Sequence, residues 1–121
     1  MTKKLWGYAY NLYQDAQYRV VRVVIHKGWQ CSLHKHHSCD NTFQVVSGIL
    51  HVVEYPETKY ERVTVLHGAS ECKTVKAGIP HCFRSITEVI ALETYRALPG
   101  KACDENDIER HKEGCKLNVD A

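Results

Sequence analysis

Between Tyr18 and Tyr95 the chain breaks into short runs of β-branched and aromatic residues, each closed by a turn signal after about ten residues. The runs are Tyr18–His26, Thr42–Val46, Ile49–Tyr55, Glu61–Leu66, Cys72–Val75, Cys82–Ile86 and Val89–Tyr95. Between them stand Lys27-Gly28, Ser47-Gly48, Pro56-Glu57-Thr58, His67-Gly68, Gly78-Ile79-Pro80 and Thr87-Glu88. Helical periodicity is almost absent before Leu98. A chain punctuated this way predicts an all-β sandwich or barrel, because no segment is long enough to bury a helical stripe. In the first run, alternation offers two faces, Val20/Arg22/Val24 or Val21/Val23/Ile25; the second is wholly apolar and is assigned to the core.

The ends read differently. Trp6 to Tyr13 carries four aromatics and predicts an opening strand or an arm that covers the barrel. After Leu98-Pro99-Gly100, Asp104 has the chemistry to cap a short helical turn through Ile108-Glu109-Arg110. The last ten residues are polar and expected to be loosely held. The 121 residues make one domain, with a core over about 18–96, an arm over 1–17 and a tail over 98–121.

Between Gly28 and Gly48 the sequence carries His34, His36, His37 and Asn41. On an extended backbone, residues two apart share a side, so His34 and His36 present two imidazoles together while Lys35 and His37 point away. Such a pair suits one metal ion at about 2.0–2.1 Å from each nitrogen. His81, after Gly78-Ile79-Pro80, is the candidate third ligand and Asn41 a candidate fourth, or else a hydrogen-bonding residue at the strand entry. His37 is assigned to packing or to support of the ligands. His26, His51, His67 and His111 have no partner at ligand spacing and default to solvated or packing roles.

Glycine, five residues, His-x-His, four residues, a polar ligand, six residues and glycine is a pattern that resembles the first motif of the cupins. Lys76-Ala77-Gly78-Ile79-Pro80-His81 resembles their second motif, with lysine in place of proline. The chain is most similar to the cupin domain that ends type II mannose-6-phosphate isomerases. That likeness runs from Trp6-Gly7 through Tyr18-Arg19-Val20-Val21-Arg22, Ser32-Leu33, His36-His37, Val45-Val46-Ser47-Gly48 and Ala77-Gly78 to Asp107-Ile108 and Arg110. The resemblance implies a double-stranded β-helix, a jelly-roll barrel, with one divalent ion (zinc, manganese or iron) and a sugar or sugar-phosphate ligand. The chain departs from the isomerase pattern at four places. His34 replaces a usual glutamine, Asn41 a glutamate, Cys82 an arginine and Ser85 an asparagine. If that arginine holds a sugar phosphate, its loss removes an anion clamp, and Arg84 does not replace it by parity.

Composition narrows the partners. A net charge of +2 without a basic run argues against nucleic acid or a membrane surface. No run of about 18 apolar residues is present for a spanning helix, and no signal peptide is evident, so a cytoplasmic location is expected. Six cysteines without a Cys-x-x-Cys pair are then expected to be reduced thiols. Homodimerisation is expected, since a small jelly roll leaves sheet edges open.

Three functional readings follow. The first is a metal-dependent isomerase, with Glu54, Glu93 or Lys76 as candidate bases. The second is a three-histidine iron dioxygenase, and the third a non-catalytic metal- and ligand-binding module. Tyr8, Tyr10, Tyr18, Phe43, Phe83 and Arg22 are candidates for a pocket mouth, with core packing the default role for most.

Overall fold

The computed structural model describes residues 1–56, 59–69 and 71–117. Within them every ordered element is a strand and every pairing is antiparallel. One sheet contains β1 (Thr2–Lys4), β2 (Gly7–Gln14), β3 (Tyr18–Ile25), β11 (Val89–Ala97), β6 (Cys39–Ser47) and β9 (Cys72–Val75), in that order across the sheet. The other is built around β10 (His81–Ser85). On one side β10 pairs with β7 (Ile49–Glu54), which pairs with β8 (Arg62–His67). On its other side lie β5 (Leu33–Lys35) and β4 (Trp29–Gln30), flanked by β12 (Glu109–Lys112) and β13 (Cys115–Lys116). The two sheets face each other as a cupin-type jelly roll, and their inner rows form one core.

The inner rows follow from alternation. Val21, Val23 and Ile25 of β3 are 3%, 1% and 0% exposed, so the all-apolar face points inward as the sequence predicts. Phe43 and Val45 of β6, Leu50 and Val52 of β7, Phe83 of β10 and Val89 and Ala91 of β11 belong to the same core. The register between β11 and β6 shifts at Ile90/Ala91, leaving Val46 as the extra residue, half exposed. Gly48 turns β6 into β7 at φ 95°, where a Cβ would lie 2.2 Å from the Glu88 carbonyl oxygen, so glycine is required there.

Each predicted strand is present, and two are longer than the sequence pattern indicates, β6 at Cys39–Ser47 and β11 at Val89–Ala97. Trp6–Tyr13 is a sheet strand: β2 pairs with β3 from Gly7↔Ile25 to Gln14↔Arg19, and Trp6 sets its ring edge-on to Phe83 at 5.1 Å. Two residues of the expected tip Pro56-Glu57-Thr58, Glu57 and Thr58, lie outside the described residues.

Two expectations at the C-terminal end are corrected. Asp104 does cap, taking the Asn106 N–H on its carboxylate at 2.9 Å, but the turn leads into strand β12 and not into a helix. The tail as far as Lys116 is also not loose. Arg110 pairs with His34 of β5, and Cys115 with Gln30 of β4. These ladders supply backbone partners that no local pattern in so polar a stretch reveals.

Candidate metal centre

His34 sits in the middle of β5 and His81 at the start of β10, and the two are register partners in the ladder between these strands. His36 follows two residues after His34, so its side chain emerges on the same inner face. The three rings converge, with centroids 4.6 Å apart for His34–His81, 5.0 Å for His34–His36 and 5.3 Å for His36–His81. One ligand atom from each lies within 4.8 Å of the others. Gly78 joins the two motifs: at φ 85° it closes the turn before His81, and its N–H donates to the His36 carbonyl at 2.7 Å.

Each ring is locked by its Nδ1. That atom lies 2.7 Å from the Ser32 carbonyl in His34, 2.7 Å from the Asp107 carbonyl in His36 and 2.9 Å from the Ile79 carbonyl in His81. A carbonyl only accepts, so each Nδ1 carries the proton and each Nε2 presents a bare lone pair. The Nε2 atoms of His36 and His81 are buried and have no hydrogen-bond partner among the described residues.

Burial keeps the rings neutral. His34 is pushed down to about 3, by desolvation first and then by His81 and His36. His81 falls to about 4, again mainly through desolvation, and His36 is lowered for the same reason. Three neutral imidazoles with ligand atoms within 4.8 Å of one another are a donor set that fits a single divalent ion. Asn41 lies on β6 opposite Tyr95 of β11, fully buried, with both amide atoms lacking a partner among the described residues. Its amide helps hold the Glu93 carboxyl down without reaching hydrogen-bond geometry, so it keeps a free oxygen.

His34 and His36 form part of the wall of a cavity of about 760 Å³ between the sheets. The opposite wall comes from β3 and β11, with Arg19, Val21, Glu93 and Tyr95. Among the three base candidates, only Glu93 bounds this space. Burial raises its carboxyl to about 7 against the opposing pull of Arg19. Glu54 is buried but committed, 3.2 Å from Lys73 and 3.5 Å from Arg62. Lys76 is largely exposed and reaches Asp40 at 3.5 Å.

The remaining sequence assignments divide. His37 points away from the cluster, as parity requires; its ring is exposed beside Glu109 at 3.4 Å, and its backbone N–H donates at 2.9 Å to the carboxylate of Asp107, whose carbonyl holds His36. His26 is exposed with its ring edge-on to Tyr8, His67 and His111 are exposed, and His51 is half-buried. Of the proposed mouth residues, only Phe83 bounds the cavity. Arg22 lies on the outer face over Tyr10, and Phe43 is core. Arg19, three residues earlier, is the cavity arginine that the sequence reading passed over. It shares the parity of Val21 and Val23, a signal already present in the strand.

Cys82 lies on the far side of β10 from His81 and is 1% exposed, so it does not bound the cavity. Ser85 is structural: its hydroxyl donates to the His26 carbonyl at 2.6 Å and accepts the Trp29 N–H at 3.0 Å. Arg84 makes a two-pronged ion pair with Glu61 at the surface. All six cysteines are free thiols. No helix is long and apolar enough to cross a membrane among the described residues.

The chain matches no protein-family model and no curated protein. Among solved structures, CapF, the capsular polysaccharide assembling protein from Staphylococcus aureus, is similar at TM-score 0.74 and 16% identity. The likeness covers 97% of this chain and 31% of that one. Oxalate decarboxylase from Bacillus subtilis is similar at TM-score 0.74 and 16% identity over 90% of this chain and 28% of that one. KdgF from Halomonas sp. is similar at TM-score 0.69 and 13% identity over 81% of this chain and 86% of that one. The chain thus spans about a third of the length of the first two and most of the third. The shared feature is the cupin barrel, and at these identities the likeness defines the fold alone.

Proposed function

We propose that this protein is a metal-binding cupin whose cavity takes a small oxygen-rich organic ligand, a sugar or sugar-like molecule. The observation that supports this most is the convergence of three neutral imidazoles, each tethered through Nδ1, beside the cavity that His34 and His36 help to wall. His34, His36 and His81 would hold one divalent ion, with Asn41 as a neutral fourth donor. When bound, such an ion supplies Lewis-acid polarisation of ligand oxygens. Glu93 is the group placed to give or take a proton: it is buried on the opposite wall, with a carboxyl near 7 that exchanges protons at neutral pH. Tyr95 packs edge-on to His36 at 5.2 Å and keeps that ring in place.

A second reading, a three-histidine iron dioxygenase, is favoured by the absence of a carboxylate from the histidine cluster. Metal analysis of the purified protein tests both. About one ion per chain is expected, lost in His36→Ala and His81→Ala. Zinc or manganese supports the sugar-type reading, and iron with ligand-dependent oxygen uptake supports the dioxygenase. A wild type that holds no metal after loading with each ion and dialysis overturns both.

A further inference from the structure

The cavity wall opposite the histidines carries one cation in an unusual position. Arg19 lies on β3 in the inward row, paired in register with Tyr95 of β11, and its guanidinium stands over the Tyr95 ring at 5.2 Å. Its Nε is buried without a hydrogen-bond partner among the described residues. Among the described residues no carboxylate lies within ion-pair distance of it, although Glu93 bounds the same space and feels its charge. A buried guanidinium donor left unpaired is costly unless a ligand completes it. Lys4 and Arg110 also bound the cavity but are exposed, so water solvates them.

The charge balance at the centre points the same way. Three neutral imidazoles and a neutral amide cancel none of a divalent ion's +2, and Arg19 adds a positive charge across the cavity, where Glu93 is the one buried acid of the lining and Glu105 and Glu113 are exposed to water. A ligand that completes both must be an anion with a further oxygen free for the ion. We infer that Arg19 is the anchor of an anionic ligand, a small polyhydroxylated carboxylate whose acid group pairs with the guanidinium while its hydroxyl oxygens face the histidine cluster. The planar fork of arginine matches the two oxygens of a carboxylate, and the Tyr95 ring beneath holds that fork in one plane. This rests on the reading of the site given above and names its ligand class.

Three probes of one carbon skeleton separate the possibilities: sorbitol, gluconate and sorbitol 6-phosphate, titrated calorimetrically into zinc-loaded full-length protein. Gluconate is expected to bind about ten-fold or more tighter than sorbitol, the usual worth of a charge-assisted pair. Arg19→Gln should abolish that preference without changing zinc content, and Arg19→Lys should restore part of it. A preference for sorbitol 6-phosphate over gluconate, or equal binding of all three by the wild type, overturns the carboxylate assignment. A gluconate preference that survives Arg19→Gln overturns the role of Arg19 while the metal reading stands. An Arg19-dependent preference in a wild type that holds no zinc supports the anchor and overturns the metal reading. Should Arg19→Gln fail to fold, the Nε–H resonance of Arg19 in the wild type decides: it should move with gluconate and not with sorbitol, and an unmoved signal overturns the proposal.

Discussion

His81 lies directly opposite His34 in the β5–β10 ladder, with the two rings 4.6 Å apart and both nearly buried. Such closeness is tolerable only while both are neutral, and it ties the stability of the metal-free protein to pH. In the folded chain His34 and His81 protonate near 3 and 4, against 6.5 for a free imidazole. Between those values the unfolded chain binds more protons, so stability falls as pH drops through 6.5 toward 4, by up to about 1.4 kcal/mol per pH unit for each histidine. Glu93 acts in the opposite sense: its folded value of about 7 exceeds the free 4.5, so protonation on acidification across that window is stabilising. Two strongly shifted histidines, helped by His36, outweigh one carboxyl. Chelator-treated protein should therefore melt several degrees lower at pH 5 than at pH 7, and a melting temperature that is flat or higher at pH 5 contradicts this account.

Much of this was open to sequence reading, because strand alternation is a short-range property. The inward face of Val21, Val23 and Ile25 and the pairing of His34 with His36 both follow from parity. The same rule, carried one step back from Val21, puts Arg19 inside and Arg22 outside, where it sits on Tyr10. The C-terminal strands were hidden for a different reason. Their side chains are exposed, so nothing in their pattern records a buried face. Their backbone partners lie on β5 and β4, some 75 or more residues earlier in the chain. Convergence of His81 on the other two likewise depends on a long-range ladder, and only the Gly78-Ile79-Pro80-His81 motif hinted at it.

Asn41 carries a cost that a bound ion would relieve. Its side chain is fully buried, and neither amide atom has a partner among the described residues. Asn41→Leu, of similar shape and without polar atoms, should raise the stability of the metal-free protein by about 1–3 kcal/mol in urea titration, the penalty removed with a buried unpaired group. The same variant should lose zinc more readily on dialysis against a weak chelator. If Asn41→Leu destabilises the metal-free protein by more than about 1 kcal/mol, or keeps zinc as firmly as the wild type, the amide is a structural group and not a donor.

Assembly is expected to be dimeric. Leu5, Leu12 and Tyr13 on and beside the N-terminal hairpin are 68%, 57% and 53% exposed, large apolar side chains that a second copy would cover. The hairpin itself is paired within its own chain, so contact through its surface, and not exchange of the strand, is the expected mode. Light scattering at micromolar concentration should give about twice 13.9 kDa, falling toward the monomer in Leu5→Glu/Leu12→Glu. A wild-type mass of one chain rules the dimer out.

Mannose 6-phosphate should not be isomerised at an appreciable rate. In the isomerase domains that the sequence resembles, the relevant charges stand at the positions of Asn41 and Cys82. Here the first is a neutral amide, and the second is a buried thiol whose pKa burial raises to about 11, turned away from the cavity. The charges on the cavity wall opposite the histidines, Arg19 and Glu93, project from β3 and β11. A phosphate held by Arg19 would therefore place the sugar differently from one held beside the third histidine, and proton transfer is sensitive to small displacements of that kind. Each lost charge-assisted contact costs about 1.5–3 kcal/mol, some ten- to hundred-fold. A coupled assay with zinc, manganese, cobalt or iron should find turnover absent or far below about 10 per second. Turnover at that scale would show that Arg19 and Glu93 perform the isomerase chemistry from their own positions.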